Sequence, residues 1–257
     1  MNYTGTGRFG YDTVALGVIG NDGPSLDHQV VAAVADYPFW FGVFGLNPAA
    51  SNFTDLNHPI PSYMANLKSS GQVPSISYGY TAGNQYRLNG VFGSLTLGGY
   101  DASKFQPNSL TWAFNEDVTR DLVVNVDSIW MSTGSTNVTL SNKTFAAFID
   151  STIPYFYLPL DACRQFEQAF GLTYDTASQL YLVNDTLRAS LQAKAPTVTF
   201  SLANLTSSER VNITLPYNAF DLKASWPLVT NDTAYFPLRQ AADETQTTLG
   251  RAFLQEA

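Results

Sequence analysis

The stretch AFIDSTIPYFYLP, residues 147–159, places a single carboxylate, Asp150, between two apolar runs. An ionised Asp is costly to bury unless hydrogen-bond donors surround it, and Ser151 and Thr152 follow at once with hydroxyl groups. Two interpretations are open from the residue types. Asp-Ser-Thr at the end of a strand is typical of an Asx turn, whereas carboxylates in apolar surroundings are typical of acid–base sites.

Acid–base hydrolysis by carboxyl groups needs a second acid. Two carboxyl groups share a proton, so that one accepts a proton from water while the other protonates the substrate carbonyl. Asp12, in GYDTV, is also followed by Thr, but Val14 stands where a glycine turn would be needed. We therefore predict that Asp12 is structural.

Other chemistries are less well supported. TGTGRFG fits the dinucleotide fingerprint at Gly5, Gly7 and Gly10, but that motif needs a preceding strand and a following helix. The pattern here favours a glycine-rich hairpin. There is no G-x-S-x-G elbow. The only two histidines, His28 and His58, lie in unrelated loops, so we expect surface histidines, no metal and no cofactor.

The elements that would position Asp150 are mostly strands. Alternating or β-branched runs predict strands, and three amphipathic or capped segments predict short helices. The strands are expected at residues 11–20, 91–100, 121–131, 197–202 and 211–215, and the helices at 61–71, 160–171 and 184–196. In the second helix, Cys163, Phe166 and Phe170 share one face and Gly171 is the expected C-cap. Asn184 or Asp185 should cap the third helix, and Pro196 should end it.

Composition restricts the partners. With 13% charged residues, a net charge of −8 and a pI near 4.6, nucleic acid is not an expected partner. The 13 Lys and Arg would leave limited positive repulsion after the carboxylates are protonated, which suits work in acid.

Glycosylation signals point to a secretory pathway. With 18 Asn, chance predicts only about three N-x-[ST] sequons, but eight occur: Asn2, Asn52, Asn137, Asn142, Asn184, Asn204, Asn212 and Asn231. In VNITLP, Val211, Ile213 and Leu215 share one strand face, so Asn212 should point outward, where an N-glycan has room. A cytosolic protein with accidental sequons is the alternative.

The chain opens on MNYTGTGRFG, which has none of the features of a signal peptide. Its most apolar region carries Asp36 and Pro38, so no membrane span is predicted. We expect an extracellular or cell-wall protein whose signal peptide lies outside this chain. The lone Cys163 then has either a partner elsewhere or a free, buried thiol.

Six segments, taken in order, resemble motifs of the pepsin-like aspartic peptidase family, especially its fungal secreted or cell-wall members. They are GRFGYDTVALG after the flap, FWFGVFGLNP at the first active-site loop, VFGSLTLGGYDASKF, VVNVDSIWM, AFIDSTIPYFYLP at the second catalytic signature, and TLGRAFLQE. The resemblance covers almost the whole chain. It implies an all-β, pepsin-like bilobal acid-protease fold with an incomplete N-terminal lobe and most of the C-terminal lobe.

The resemblance assigns roles in the second lobe. Asp150 matches a catalytic aspartate, and Ser151 matches the hydroxyl residue that ties the two catalytic loops together. Leu249 and Gly250 match the apolar-Gly pair that packs against the Asp150 loop. Tyr155 is a weaker candidate for substrate contact.

In the first lobe, the resemblance implies that Val43, Phe44 and Gly45 form the corresponding half of the motif. The other half, with the first catalytic Asp, is expected upstream of residue 1. Tyr3, in NYTGTG, resembles the tip of the flap that covers the substrate, although its spacing to Tyr11 is short for the family.

Two departures concern the Asp150 loop. Thr152 stands where the family has glycine, and a β-branched residue is stiffer than the residue it replaces. Ile153 stands where a hydroxyl residue normally bonds the aspartate, so we expect that hydrogen bond to be lost. Both changes put the ordinary geometry of the two aspartates in doubt.

The expected layout is a rear part of the N-terminal lobe at residues 1–105, a connection at 106–120, and a C-terminal lobe at 121–257 without its last strands. The expected activity is aspartic-type endopeptidase, acting on a peptide or protein bound in extended form between the lobes. Residues 1–257 carry only one of the two catalytic aspartates, so this chain alone is expected to be inactive. The protein is expected to be a monomer. The alternatives are an inactive pepsin-fold protein that binds a protein or polysaccharide, which Thr152 and Ile153 favour, and an unrelated secreted β-sandwich.

Overall fold

The structure is a computed structural model that describes residues 7–17, 23–34, 42–53, 55–84, 86–87, 92–134 and 136–257. The chain divides into two compact units. The first comprises residues 1–80 and 95–101, and the second comprises residues 81–94 and 102–257. The lobe boundaries expected near residues 105 and 120 stay a prediction.

Strands dominate the described residues, with three α-helices between them. The strands are β1 Gly7–Ala15, β2 Ser25–Val34, β3 Tyr78–Thr81, β4 Ser94–Leu97, β5 Val123–Ser132, β6 Asn137–Ser141, β7 Phe145–Ile149, β8 Phe156–Leu158, β9 Thr173–Asp175, β10 Leu180–Val183, β11 Thr197–Ala203, β12 Arg210–Pro216, β13 Leu222–Ala224, β14 Thr233–Phe236, β15 Leu238–Gln240 and β16 Thr248–Leu249. The helices are α1 Tyr63–Ser69, α2 Leu160–Phe170 and α3 Asp185–Lys194.

In the first unit, β1 and β2 form an antiparallel ribbon whose register shifts between Asp12 and Val14. Asp12 lies in this ribbon, exposed, with its Oδ1 accepting a hydrogen bond from the Thr13 N–H at 2.8 Å. That contact agrees with a structural role. Helix α1 starts at the cap Ser62, whose hydroxyl accepts from the Ala65 N–H, and it buries Met64.

The second unit contains an eight-stranded sheet and a four-stranded sheet. The larger has the order β12-β11-β5-β7-β16-β8-β15, with β6 paired to β5, and the smaller has the order β13-β14-β10-β9. Strands β11 and β12 follow the alternation of their sequences. Leu215 is buried while Asn212 and Thr214 are exposed, as the sequence predicted.

Helices α2 and α3 cover this unit where their sequences predicted them. Helix α2 buries Cys163 and Phe170 and ends at Gly171, whose φ of 71° is the left-handed conformation that glycine adopts without strain. Helix α3 is capped by Asn184, whose Oδ1 accepts from the Leu187 N–H, rather than by Asp185. It ends at Ala195, directly before Pro196.

An aromatic core lies behind β8. Phe156 of β8 stacks on Phe200 at 5.3 Å and on Phe220 at 5.5 Å, and Phe220 stacks on Phe236 at 4.7 Å between ring centroids. Rings at such spacings contribute beyond the area that they bury. These contacts fix β8 in the core, and β8 in turn fixes one end of the segment that follows Asp150.

Candidate active site

Asp150 follows β7 directly, and a strand from near the end of the chain passes alongside it. Strand β16 pairs in parallel with β7, placing Leu249 opposite Ile149. The same strand pairs antiparallel with β8, placing Leu249 opposite Phe156. The chain that links β7 to β8 therefore passes around Leu249–Arg251.

Three main-chain hydrogen bonds fix this arrangement. The Asp150 N–H donates to the Leu249 carbonyl at 3.2 Å. From the other segment, the Gly250 N–H donates to the Tyr155 carbonyl at 3.1 Å, and the Arg251 N–H donates to the Ile153 carbonyl at 2.7 Å. The bonds join the two sides of the turn to one short segment about 100 residues away in sequence. Asp150 is thereby held at a defined position in the unit.

Gly250 is required by close approach. A Cβ added to Gly250 would lie 2.3 Å from the carbonyl oxygens of both Ile153 and Tyr155. Those carbonyls accept the hydrogen bonds of Arg251 and Gly250, so they cannot move away without breaking the contacts that hold the turn. Leu249 and Gly250 therefore lie against the Asp150 turn, and their role as supports of a catalytic loop stays a prediction.

The carboxylate of Asp150 is held through one oxygen. Its Oδ1 accepts from the Thr152 N–H at 2.8 Å and from the Thr152 hydroxyl at 2.7 Å. Among the described residues, no donor contacts Oδ2. Asp150 is half-buried, whereas Ser151 and Thr152 are exposed.

Asp150 still accepts a hydroxyl hydrogen bond, but from a different position than the one the resemblance implies. Ile153 makes no such bond, but the side chain of Thr152 supplies a hydroxyl from one residue earlier. Ile153 is free to pack against a cluster of buried side chains that includes Tyr155 and Tyr235. The two departures from the family pattern therefore compensate each other in part.

The local turn by itself does not mark a site. Asp117, Asp243 and Asn204 each accept both the N–H and the hydroxyl of a Thr two residues later, as Asp150 does. The Thr245 and Thr119 donors hold the pKa values of Asp243 and Asp117 below the ordinary range. What distinguishes Asp150 from these surface turns is the segment Leu249–Arg251 beside it.

Two arginines near the turn were missed by sequence reasoning. The Arg251 Nη1 donates to the Ser151 carbonyl at 3.0 Å and to the Thr152 carbonyl at 3.2 Å. The Arg239 guanidinium lies 4.2 Å above the Tyr155 ring centroid. In a chain with only 13 Lys and Arg, an arginine directly after the Leu-Gly pair was the available signal.

Comparisons with known proteins agree with this geometry. The model of the eukaryotic aspartyl protease family matches residues 2–257. The chain belongs to that family. Its structure is similar to the crystal structure of the aspartic proteinase from Irpex lacteus, with a TM-score of 0.61 and 15% sequence identity, over 97% of this chain and 77% of that one. A search of curated proteins found no match.

The family and the all-β pepsin-like fold are therefore confirmed. For this aspartyl protease chain, the catalytic role of Asp150 stays a prediction. So do the loop-tying role of Ser151 and the substrate contact of Tyr155. Only 6% of Tyr155 is exposed, because Arg239 and Tyr235 cover its ring.

The half-motif of the first lobe lies in different surroundings. Val43 is 59% exposed and Phe44 is 41% exposed, with Phe44 packing edge-on against Tyr63 at 5.2 Å. A Cβ at Gly45 would meet no described atom within 4 Å. The expected support of a catalytic loop by these three residues stays a prediction.

The glycine-rich start and the sequons complete the set of predicted residues. Tyr3, Asn2 and Gly5 lie outside the described residues. Strand β1 runs through Gly7 and Gly10, where a dinucleotide site would need a helix. Six of the sequon asparagines are exposed, namely Asn52, Asn137, Asn142, Asn184, Asn212 and Asn231. Asn204 is half-buried, and its Nδ2 donates to the Thr111 carbonyl at 2.5 Å.

The histidines and the cysteine lie elsewhere in the fold. His28 lies in β2, not in a loop as predicted, and stacks on Tyr11, while His58 pairs with Asp55 at the surface. Cys163 is fully buried, and burial raises the pKa of its thiol to about 12, which supports a free, buried thiol. Within the described part of the chain, no three His, Cys, Asp or Glu side chains cluster as metal ligands would. No helix there is long and apolar enough to cross a bilayer.

Proposed function

We propose that this protein is an aspartic-type endopeptidase in which Asp150 is one of two acid–base carboxyl groups. The observation that carries the proposal is the position of the Asp150 turn, which passes around Leu249–Arg251 and is held there by three main-chain hydrogen bonds. Oδ1 is held by Thr152, and no described donor contacts Oδ2. A carboxylate so oriented can accept a proton from a water molecule that attacks a peptide carbonyl. The mechanism needs no covalent intermediate.

The second carboxyl group is part of the proposal. We expect it on a D-[ST] loop that passes beside Val43–Gly45, as the Asp150 turn passes beside Leu249–Arg251. The exposed apolar surface of Val43 and Phe44 supports this expectation, since flanking strands would bury it. Asp12 is a poor candidate, because it lies within the β1–β2 ribbon and bonds its own neighbour.

The test is proteolysis of an unfolded protein substrate at about pH 4 by a form of the protein that includes the second D-[ST] loop, with and without pepstatin. Asp150→Asn should lower kcat by about 10³-fold or more. Asp243→Asn is the matched control, because Asp243 makes the same turn with Thr245 but, among the described residues, has no hydrogen bond to Leu249–Arg251. Equal activity in Asp150→Asn and the parent protein would exclude Asp150 as the acid–base group.

A second candidate function is a pepsin-fold protein that binds a protein or polysaccharide without cleaving it. It is favoured by Thr152 in the glycine position, where it forms the same turn as the surface residues Asp117 and Asp243. An intact substrate after prolonged incubation, with binding detected in the same samples, would support this candidate over the peptidase.

We also propose that the protein is a secreted, monomeric glycoprotein that is extracellular or lies in the cell wall. The six exposed sequon asparagines support N-glycans. Expression through a eukaryotic secretory pathway should yield a protein whose mass falls on treatment with an N-glycosidase. An unchanged mass would favour the alternative, a cytosolic protein in which the sequons occur by chance.

A further inference from the structure

Arg251 contacts the Asp150 turn through both its main chain and its side chain. Its N–H donates to the Ile153 carbonyl at 2.7 Å, which fixes the residue directly beneath the turn. Its Nη1 also donates to the Ser151 carbonyl at 3.0 Å and to the Thr152 carbonyl at 3.2 Å, so one nitrogen bridges two successive carbonyls. Hydrogen bonds from an ionised donor are stronger than neutral ones.

The bond to Ser151 acts on Asp150 through a single peptide unit. The Ser151 carbonyl and the Thr152 N–H belong to the same planar trans peptide and point in opposite directions. With the carbonyl held by Arg251, the N–H is directed away from Arg251, and it donates to the Asp150 Oδ1 at 2.8 Å. Hydrogen bonds in such a chain polarise one another, so the guanidinium strengthens the bond that orients the carboxylate.

The matching surface turns have no such arginine. At Asp117 and Asn204, the Thr donors are the same, but no described guanidinium contacts the carbonyls of the two residues that follow. The arginine contact is therefore not a property of the Asx-x-Thr turn. It belongs to the one turn that also has Leu249–Arg251 beside it.

We infer that Arg251 is a positioning residue for Asp150, acting through the peptide between Ser151 and Thr152. This inference rests on the proposed function and adds a residue to its machinery. In the family pattern, a glycine at the position of Thr152 lets the backbone direct its N–H at the aspartate. Here Arg251 fixes that N–H from the opposite side of the peptide.

The first experiment measures kcat and KM in Arg251→Ala, Arg251→Lys and Arg210→Ala. Arg210 is the matched control, because its Nη1 also bridges two carbonyls, of Ser207 at 3.3 Å and Glu209 at 2.9 Å. Arg251→Ala should lower kcat about tenfold with KM changed less than about twofold, since it disturbs the reacting group and not substrate binding. Arg251→Lys, whose ammonium can reach a carbonyl, should recover part of the loss and serves if Arg251→Ala does not fold.

The second experiment measures the protection of the turn by hydrogen exchange and does not depend on enzymatic activity. Hydrogen exchange of the Thr152 amide, followed by NMR, should be faster in Arg251→Ala and unchanged in Arg210→Ala. Unchanged exchange, or a kcat equal to that of Arg210→Ala, would overturn the inference. Absence of peptidase activity in the parent protein would instead refute the proposed function. The amide exchange would then still decide whether Arg251 fixes the turn.

Discussion

The segments Val43–Gly45 and Thr248–Gly250 have similar sequences and opposite surroundings. Each places an apolar residue directly before a glycine. Leu249 is completely buried between β7 and β8, whereas Val43 is 59% exposed. Gly250 has two carbonyl oxygens at 2.3 Å from the position of a Cβ, and Gly45 has no described atom within 4 Å.

This difference shows that flanking strands, and not the apolar-Gly pattern, hold the turn at Asp150. The second segment contacts that turn because β7 leads into Asp150 on one side of it and β8 returns on the other. Where no described strand lies alongside, as at Val43–Gly45, the same pattern forms irregular backbone with exposed side chains. The comparison can be tested by matched substitutions in the two segments.

The largest difference is expected between the glycines. Gly250→Ala should destabilise the protein by about 3 kcal/mol or more, because the new methyl group collides with two main-chain oxygens that are already hydrogen-bonded. Gly45→Ala should change stability by no more than about 0.5 kcal/mol. Urea unfolding of both variants measures the difference, and similar losses would contradict the comparison.

A longer form of the protein with a second D-[ST] loop would sharpen this result. If that loop passes beside Val43–Gly45, Gly45→Ala should become as costly there as Gly250→Ala. A Gly45→Ala variant that stays neutral in the longer form would show that the first segment supports no catalytic loop.

The apolar residues should show the next largest difference. Leu249→Ala removes a fully buried side chain and should cost about 2–4 kcal/mol. Val43→Ala removes a mostly exposed one and should stay within about 0.5 kcal/mol. Thermal or urea unfolding of the pair checks this, and a costly Val43→Ala would mean that the first segment is covered in solution.

A pH-dependent effect tests whether the interior behind β8 excludes water. The Sγ of Cys163 lies 3.5 Å from the Leu158 carbonyl at the end of β8, and burial raises the pKa of the thiol from 9.0 to about 12. The unfolded chain therefore loses this proton first as pH rises. Stability should be unaffected by Cys163 below pH 9 and should fall between pH 9 and 12, with a slope approaching about 1.4 kcal/mol per pH unit.

The control is Cys163→Ala, in which the slope contributed by the thiol should disappear. A thiol reagent should modify the native protein slowly and the unfolded protein rapidly, since the chain has one cysteine. Rapid labelling of native protein would contradict a buried thiol behind β8.

Much of the fold was predictable because its signals are local. The alternation of Val211 to Leu215, the C-cap Gly171 and the N-cap Asn184 each depend on a few neighbouring residues, and the structure confirms them. Two predicted strands differ in extent: β1 starts at Gly7 rather than near Tyr11, and β4 covers only Ser94–Leu97 within the predicted 91–100. The ribbon pairing of β1 with β2 extends the strand further than its own pattern indicates.

The site was predictable only in outline. Asp150 and Leu249–Gly250 could be paired through their resemblance to a family. The hydroxyl bond from Thr152 depends on the backbone and rotamer of one residue, so residue types alone did not show it. The contact of Arg251 with Ser151 joins positions 100 residues apart, and no local pattern encodes it.

Calorimetric titration with pepstatin tests the central claim most directly, because such an inhibitor binds the group that activates water without requiring turnover. We predict that the form of the protein with both D-[ST] loops binds pepstatin, that Asp150→Asn in that form weakens binding by about 100-fold or more, and that Asp243→Asn leaves it unchanged. Binding that is equally strong in Asp150→Asn, or no binding by the parent protein, would contradict the assignment of Asp150 as an acid–base group.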